Sequence, residues 1–418
     1  MTISQQKIVY EEGEETKDEK LWNLSFILLW QGQLVSSYGN SVYKIALGFW
    51  ILAETGSTAI MGLLMATMVL PSIFVSPLAG TFVDRHNRKW VIVLTDTIRG
   101  IVTLFIGVTA LLGLLEVWMV LVGGIVLGVC DSLFKPAVHS VLPDILSIGN
   151  LVKGNSAISL ASKGMDILGK STGGILLQII GAPFLFLING LSFIMSAISE
   201  CYIKIPVIHK EIKETHILTD LKVGFNYVKN HRGLKYLYII FAFLNFFAVM
   251  GLTLILPLFN SRAYLGSGRY GITMAFLSGG MFLSFFLLST IDIQSFKKSK
   301  LFTMCGMISG LSIAVLPLTS NYYVITSLIF ANGLTFAVVS MLLQSTMQAT
   351  VSKDMLGKTS GFERAISSSL MPLGMIVGGI MAEFTPIEYI ISADFVIILV
   401  LFGLLNFIRP VTELLDGY

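Results

Sequence analysis

Charged side chains are scarce in this chain of 418 residues, because Asp, Glu, Lys and Arg together make up only 13% of it. Soluble domains carry about a quarter charged residues, so the composition excludes an ordinary water-soluble globule. Apolar residues account for 54% of the chain, and the mean hydropathy is +0.80. The net charge of +3 is too small to indicate a nucleic-acid partner. The composition therefore points to lipid as the solvent.

Cysteine and histidine are also rare, with three and five residues. Cys130, Cys201 and Cys305 each lie in an apolar stretch, with no paired spacing and no histidine nearby that would complete a metal site. The His-Glu-x-x-His spacing of zinc hydrolases is missing too. We therefore predict no catalytic residue, no metal, no cofactor and a protein that is not an enzyme.

Long apolar runs divide the chain into membrane spans. About 20 apolar residues in a helix cross the roughly 30 Å hydrocarbon core. We predict an all-α polytopic membrane protein with twelve spans, at 23–53, 57–81, 90–113, 117–141, 154–179, 182–204, 236–259, 270–291, 300–318, 322–349, 360–384 and 387–408. The predicted organisation is a polar tail at 1–20, a six-helix bundle at 21–204, a central loop at 205–235, a second six-helix bundle at 236–409 and a tail at 410–418.

Basic residues in the connectors indicate the orientation of these spans. Cytoplasmic connectors carry the excess of Lys and Arg. Nearly all basic residues between the predicted spans fall on the side of the two termini, and the exceptions are Arg262 and Arg269. We therefore predict cytoplasmic termini in a bacterial-type cytoplasmic membrane. In the central loop, apolar residues between 218 and 228 recur at helical spacing and predict an amphipathic helix along the inner surface.

A glycine motif relates the two halves of the chain. The stretch Leu168-Gly169-x-x-x-Gly173-Gly174 returns as Leu373-Gly374-x-x-x-Gly378-Gly379, and the same offset aligns Asn189 with Asp394. Glycine at every fourth position lets two helices approach closely. We expect both motifs to pack helices together in two duplicated halves, an arrangement found in transporters that rock around a central site.

A charged loop joins spans two and three and reads Gly80-Thr-Phe-Val-Asp84-Arg85-His-Asn-Arg88-Lys89. Its cations would anchor the loop at the cytoplasmic face. Asp84 could lie against a helix N-terminus or an arginine and form a latch that breaks when the bundles change state. The loop resembles the signature loop of the major facilitator superfamily, with Asn87 where that family usually has a second glycine.

Five further segments narrow this resemblance to the macrolide-efflux-type branch, which also holds exporters of siderophores and peptide antibiotics. They are Trp30-Gln-Gly-Gln-Leu-Val-Ser-Ser, Glu54-Thr-Gly-Ser, Val83-Asp-Arg-His-Asn-Arg-Lys, Lys135-Pro-Ala-Val and Met371-Pro-Leu-Gly. The similarity covers nearly the whole chain and implies a secondary transporter that works by alternating access. Two patterns differ from relatives: Lys170 replaces the proline of the fifth-span antiporter motif, and Leu127 stands where many relatives have an arginine in span four. The proton-coupling role of that arginine is therefore not carried over.

Ionisable residues inside spans are functional candidates, because a charge in the bilayer is costly unless it is paired or faces water. Residues four apart share a helix face, so two acid and lysine pairs in spans four and five could form ion pairs. The candidates for proton or substrate binding are Lys44, Asp131, Lys135, Lys163, Asp166 and Lys170. They could form a static clip between helices, or a titrating site that contacts substrate. Asp96 and Arg99 are expected to brace the charged loop.

The resemblance implies that spans one, four, seven and ten line a central cavity. Polar candidates for its wall are Gln31, Asn40, Asn245, Asn332, Gln344 and Gln348. Lysines outnumber acids among the charged candidates, which favours an anionic or zwitterionic cargo. Neighbouring methionines and aromatics suit an amphiphile.

We predict a proton-coupled exporter of a small amphiphilic organic molecule, such as an antibiotic, siderophore or peptide-like compound. We expect it to act as a monomer surrounded by membrane lipid. In this hypothesis, protonation of Asp131 or Asp166 frees its lysine partner to bind an acidic group of the cargo. Two alternatives remain: a transporter or flippase of lysophospholipids or other lipids, and a membrane sensor without transport.

Overall fold

The computed structural model describes residues 20–204, 217–290, 297–351 and 369–417, and the regular structure within these ranges is helical. The helices are α1 (Leu24–Thr55), α2 (Thr58–Arg85), α3 (Arg88–Leu111), α4 (Val117–Ile145), α5 (Leu151–Ile180), α6 (Ala182–Cys201), α7 (Ile217–Asn230), α8 (Arg232–Thr253), α9 (Ile255–Ser261), α10 (Gly266–Thr290), α11 (Lys298–Val315), α12 (Tyr322–Thr350), α13 (Met371–Phe384), α14 (Ile387–Leu405) and α15 (Arg409–Asp416). Short 3₁₀ turns occupy Ile148–Asn150 and Leu316–Leu318.

Eleven of the twelve predicted spans coincide with a helix or, for span seven, with the pair α8 and α9. Of span eleven, predicted at 360–384, residues 360–368 lie outside the described ranges and the rest contains α13. Within the described ranges, nine helices are long and apolar enough to cross a membrane. The remaining predicted spans are filled by α1 and α5, which carry more polar residues, and by α13, of which 14 residues are described. The chain is therefore a polytopic helical membrane protein.

Capping residues explain why several helices begin and end where they do. The side chains of Asn23, Ser57 and Asn87 accept hydrogen bonds from backbone N–H groups in the first turns of α1, α2 and α3. Each bond satisfies a donor that has no partner within the helix. Between α1 and α2, Gly56 adopts a φ of 65°, a left-handed conformation that glycine reaches without strain. This turn reverses the chain within two residues.

Span seven is broken, although the sequence predicts one continuous helix at 236–259. The break lies at Leu254, whose N–H donates to the carbonyl oxygen of Gly251 at 3.1 Å in a 3₁₀-type turn. Pro257 explains it, because a proline has no N–H to donate to the carbonyl four residues earlier and its ring crowds that group. That carbonyl belongs to Thr253, the last residue of α8.

The two halves repeat one packing order. In the first bundle, α1 packs against α5 and α6, α3 against α6, and α2 against α4. In the second, α8 packs against α13 and α14, α11 against α14, and α10 against α12. These pairs correspond when α8 and α10 through α14 are matched with the first six helices in order. Each bundle holds its own buried apolar core.

The two bundles meet at one end of the molecule. We call the end that holds residues 20 and 417 the terminal face, and the other end the opposite face. Near the opposite face α2 packs against α13, and α5 against α10. Glu383 on α13 accepts hydrogen bonds from the Ser57 hydroxyl at 2.6 Å and from the Ala59 N–H at 3.0 Å. A carboxylate of the second bundle thus caps a helix of the first.

Two peripheral helices lie at the terminal face. Residues 205–216 of the predicted central loop lie outside the described ranges, and α7 follows them. Its Val228 is buried with Leu234 and Tyr238 of α8, whereas Phe225 is 46% exposed. The predicted tail at 410–418 is mostly helix α15, whose Asp416 accepts hydrogen bonds from the N–H and hydroxyl of Ser299. These bonds satisfy the first turn of α11.

Candidate functional site

A cavity of about 370 Å³ lies in the first bundle, in the half nearer the terminal face. Five helices line it: α1, α3, α4, α5 and α6. Its charged lining residues are Lys44, Arg99, Asp131, Lys135, Lys163 and Asp166. Serines of α1 and α5, with Asn40 and Gln33, supply its uncharged polar wall. The cavity therefore combines several of the predicted charged residues with hydrogen-bonding groups.

The predicted pair on α4 forms, and it is part of a larger set. Lys135 Nζ lies 2.8 Å from Asp131 Oδ2, with the lysine largely exposed to the cavity. The other carboxylate oxygen of Asp131 lies 3.1 Å from Nη2 of Arg99 on α3. Asp131 is therefore held by two cations from two helices.

Arg99 differs from its sequence-based prediction. We expected it to brace the charged loop, and that expectation was wrong: its Nη1 lies 2.9 Å from Asp96 Oδ1 and its other end reaches Asp131. The guanidinium lies 4.3 Å from the ring centroid of Phe134 and 5.5 Å from that of Phe193. These aromatic faces stabilise the cation and exclude water. Arg99 thus connects the buried Asp96 to the cavity.

The second predicted pair forms on α5. Lys170 Nζ lies 2.7 Å from Asp166 Oδ2, and the hydroxyl of Ser41 on α1 donates to Asp166 Oδ1 at 2.5 Å. Lys163, one turn away, also lines the cavity, and so does Lys44 on α1. The acid of this pair therefore joins α1 to α5 while its lysine is half exposed.

The lining carries more positive than negative charge, with four cations, Lys44, Arg99, Lys135 and Lys163, against the two acids Asp131 and Asp166. A positive potential in a low-dielectric cleft attracts anionic groups. The acids remain available for a cationic group, since Asp131 and Asp166 are each 35% to 42% exposed at their side chains. The cavity can therefore bind both signs of charge within one ligand.

Of the polar residues predicted for the second bundle, those whose side chains are described do not line this cavity. Asn332 is buried, and its amide donates to the carbonyl and hydroxyl oxygens of Ser309 on α11, which ties it within its own bundle. Neither Asn245 nor Gln344 is among the residues that line the cavity, and the side chain of Gln348 lies outside the described part of the structure. On α1, Gln31 points away and Gln33 lines the cavity instead.

The charged loop lies at the terminal face between α2 and α3. Arg88 Nη1 contacts Asp144 Oδ2 at the end of α4 at 2.5 Å and donates to the Ser140 carbonyl at 3.1 Å. Lys89 lies over the Trp90 ring, and Arg85 is exposed. A Cβ added to Gly80 would meet no other part of the described structure within 4 Å. The side chain of Asp84 is outside the described part of the structure. The contact present here therefore clips α3 to α4.

The repeated glycines divide their contacts in the same way in both halves. Gly169 and Gly173 lie against α1, and Gly374 and Gly378 lie against α8. The last glycine of each motif faces the other bundle: Gly174 meets Ser267 and Gly271 of α10, and Gly379 meets Thr58 and Ala59 of α2. The aligned pair Asn189 and Asp394 also repeats, because each side chain lies against a glycine of the first helix of its bundle, Gly39 and Gly251.

A Gly-x-Ser-x-Gly spacing occurs once, from Gly169 to Gly173. In hydrolases this motif forms a sharp strand-to-helix turn that exposes the serine. Here it lies in the middle of α5, and the Ser171 hydroxyl donates to the Ile167 carbonyl oxygen at 2.8 Å. The spacing therefore belongs to helix packing.

Glu200 and Ser196 were not recognised as candidates from the sequence. Glu200 lies in the last turn of α6 with no exposed surface, and the Ser196 hydroxyl donates to its Oε1 at 3.2 Å. A glutamate so close to the end of a predicted span is usually interfacial, and only its contact with α1 and α3 shows that it is buried. A single acid in the otherwise uncharged α6 is the signal that could have identified it.

Two six-helix bundles with equivalent packing are joined at one face, and the first of them holds a charged cavity. Together these features define a carrier of the major facilitator type. The chain belongs to the transmembrane secretion effector family, whose family model matches residues 20–416. The family and the fold are those of transporters.

Relatives and solved structures agree with this assignment. Macrolide efflux protein A of Streptococcus pyogenes is 22% identical over 367 residues, which cover 87% of this chain and 90% of that protein. The nucleoside transporter NupG superposes with a TM-score of 0.69 at 14% identity, covering 95% of this chain and 100% of NupG. A bacterial homologue of the human lysosomal transporter Spinster, in an inward-facing and unoccupied conformation, gives 0.70 at 15% identity, covering 96% and 98%.

Proposed function

We propose that this protein exports a small zwitterionic amphiphile from the cytoplasm in exchange for protons. The observation that carries the proposal is one cavity lined by the pair of Asp131 and Lys135, by Asp166 and by additional cations, in a molecule whose bundles are joined at the opposite face. Lys170, the partner of Asp166, is not among the lining residues. The name of the macrolide efflux relatives supports export. The basic connectors support a cytoplasmic terminal face, so the cavity would be loaded from the cytoplasm.

The direction of proton coupling determines which cargo fits. If protonation of Asp131 frees Lys135 for an acidic cargo, proton and cargo occupy the carrier together and must move in the same direction. Exchange requires competition between them. A cargo whose ammonium binds the aspartate while its acidic group binds the lysine provides that competition, because a protonated aspartate no longer attracts the ammonium. A zwitterionic, peptide-like cargo therefore suits export driven by inward proton flow.

Asp131→Asn and Asp166→Asn are expected to reduce gradient-driven uptake at least about tenfold, which corresponds to about 1.4 kcal/mol of lost coupling. Each amide keeps the shape of the side chain but exchanges no proton. The assay is uptake of radiolabelled 2-aminododecanoic acid into inverted vesicles with an acidic lumen. Glu116→Gln is the control, because Glu116 is exposed in the loop before α4 and its carboxylate accepts a hydrogen bond from the indole N–H of Trp118, away from the cavity. Undiminished gradient dependence in both aspartate variants would contradict the proposal.

Lys163→Gln is expected to weaken binding of an acidic group at the cavity about tenfold without affecting a cation. Three probes of equal chain length separate the charge classes: 2-aminododecanoic acid, dodecanoic acid and dodecylamine. Binding is measured by thermal shift below micellar concentrations. Lys153→Gln on the same helix is the matched control, because Lys153 is exposed and does not line the cavity. Equal losses for all three probes, or for both variants, would show that Lys163 does not select charge.

The excess of cations also suits the phosphate of a lysophospholipid, which is the second candidate cargo. Purified protein in liposomes distinguishes the two candidates. Movement of lysophosphatidylglycerol between leaflets without a proton gradient would favour lipid transport. Gradient-dependent movement of the amino acid amphiphile, with no lipid movement, would favour the exporter.

A further inference from the structure

Glu200 is a buried acid with no ion pair among the described residues. Its carboxyl is fully covered, Oε1 accepts a hydrogen bond from Ser196, and Oε2 has no hydrogen-bond partner in the described part of the chain. An ionised carboxylate in such a place lacks both water and a counter-ion, which is strongly unfavourable. The neutral acid has no such penalty.

The surroundings of Glu200 are set by three helices. On α1 the backbone of Gly32 closes the site, because a Cβ there would lie 2.6 Å from the Ser196 hydroxyl and 3.3 Å from Glu200 Oε1. On α3 the charged groups that act on Glu200 are Asp96 and Arg99. The rest of α6 is uncharged, and no charged group of α1 or α5 contributes. Glu200 is therefore influenced by one acid and one shared cation.

Arg99 cannot neutralise this group of acids. Its Nη1 is paired with Asp96, which is itself fully buried, and its Nη2 is paired with Asp131 at the cavity. Lys135 supplies a second cation, but only to the exposed side of Asp131. The buried portion thus contains two acids, Asp96 and Glu200, and one cation, Arg99. That cation is also paired with a third acid, Asp131. The buried portion therefore lacks one positive charge, because the other cations nearby, Lys44, Lys135 and Lys163, line the cavity.

We propose that Glu200 holds a transported proton, which supplies this missing charge, and that the network through Asp96 and Arg99 links the proton to cargo at Asp131. The inference rests on the proposed proton-coupled export and adds a second, buried proton site to the one proposed at Asp131. When the ammonium of a cargo binds Asp131, it adds positive charge to the same network, and Glu200 releases its proton. When cargo leaves, Glu200 takes up a proton again. Cargo and the proton on Glu200 therefore compete without touching each other.

Infrared spectroscopy of the cargo-free, full-length protein in lipid tests the site directly. The spectrum of the wild type minus that of Glu200→Gln at neutral pH is expected to contain the carbonyl band of a protonated carboxyl. If the difference contains carboxylate bands instead, Glu200 is ionised and the proposal is overturned. Should Glu200→Gln fail to fold, Ser196→Ala serves in its place. Removal of the one hydrogen-bond donor is then expected to shift the carbonyl band, and a shifted carboxylate band would overturn the proposal.

Transport measurements separate this inference from the proposed function. In inverted vesicles, Glu200→Gln is expected to lose gradient-driven uptake of 2-aminododecanoic acid at least about tenfold while exchange of labelled for unlabelled probe continues. If the infrared band of protonated Glu200 is present but uptake by the wild type does not depend on the proton gradient, the proposed function is contradicted. If uptake by the wild type depends on the proton gradient and Glu200→Gln keeps this dependence in full, only the assignment of Glu200 is contradicted.

Discussion

Replacing Gly174 with alanine is expected to reduce transport at least about tenfold by preventing closure at the opposite face. The added Cβ would overlap the carbonyl oxygen of Ser267 and lie 2.8 Å from the backbone nitrogen of Gly271. Backbone atoms of α10 cannot rotate away as a side chain can. Overpacking of this kind costs about 1–3 kcal/mol, which is enough to shift a population of states about five-fold to more than a hundred-fold. The carrier should therefore favour states open at the opposite face.

Gly164→Ala is the matched control for this variant. Gly164 lies on the same helix, and a Cβ there would meet no other helix of the described structure within 4 Å. The separation of the bundles can be measured between spin labels on Leu114→Cys and Tyr323→Cys, both exposed at the opposite face on different bundles. The exposed native Cys201 is first replaced by serine. A longer distance in Gly174→Ala but not in Gly164→Ala is expected, and equal distances with normal transport would contradict the prediction.

The contact between α2 and α13 is the second place where the two bundles meet at the opposite face. Gly379 occupies the equivalent position in the repeat, and a Cβ there would lie 2.5 Å from the Thr58 carbonyl oxygen of α2. Glu383 extends this contact, because its carboxylate accepts hydrogen bonds at the first turn of α2. Gly174, Gly379 and Glu383 thus contribute to how closely the bundles meet, which explains why a motif within each bundle ends with a glycine that faces the other.

Hydropathy was sufficient to locate the spans, because lipid requires long apolar helices. The arrangement in two bundles was predicted from the repeated glycine motif and from the resemblance of the charged loop. The ion pairs of Asp131 with Lys135 and of Asp166 with Lys170 are local to one helix, so their spacing alone indicated them. The break in span seven was also readable in principle, since Pro257 lies inside it. The break was not predicted, because the residues around Pro257 form an uninterrupted apolar run of the length of one span.

Contacts between helices were not predictable in the same way, because spacing does not determine how a helix is rotated about its axis. Arg99 was assigned to the loop by its depth along α3, whereas rotation directs it to Asp131 on α4. Asn332 was assigned to the cavity by the identity of its span, but its amide is used by Ser309. Gln31 and Gln33 illustrate the same limit, since two residues along a helix turn a side chain from the cavity to the outside.

Arg99→Met is expected to destabilise the folded protein by about 3–5 kcal/mol, because it removes the cation of a buried pair and leaves its acids uncompensated. Arg99 and Asp96 are 4% and 0% exposed. Lys135→Met is the control, since Lys135 contacts the same Asp131 but its side chain is 72% exposed, and an exposed pair contributes about 0–1 kcal/mol. Unfolding is followed by helical circular dichroism in detergent at several denaturant concentrations. Equal effects of the two variants would show that Arg99 is not the central cation.

The stability lost in Arg99→Met is expected to depend on pH, because the acids near Arg99 can bind protons. In Arg99→Met the acids around position 99 can regain neutrality only by binding protons, so the variant should approach wild-type stability as the pH falls. Asp96→Asn added to Arg99→Met removes one of these acids and is expected to recover part of the stability at neutral pH. The recovery identifies charge, and not lost packing against Phe134 and Phe193, as the main cause. A deficit that is independent of pH and unchanged in the double variant would instead assign Arg99 to aromatic packing.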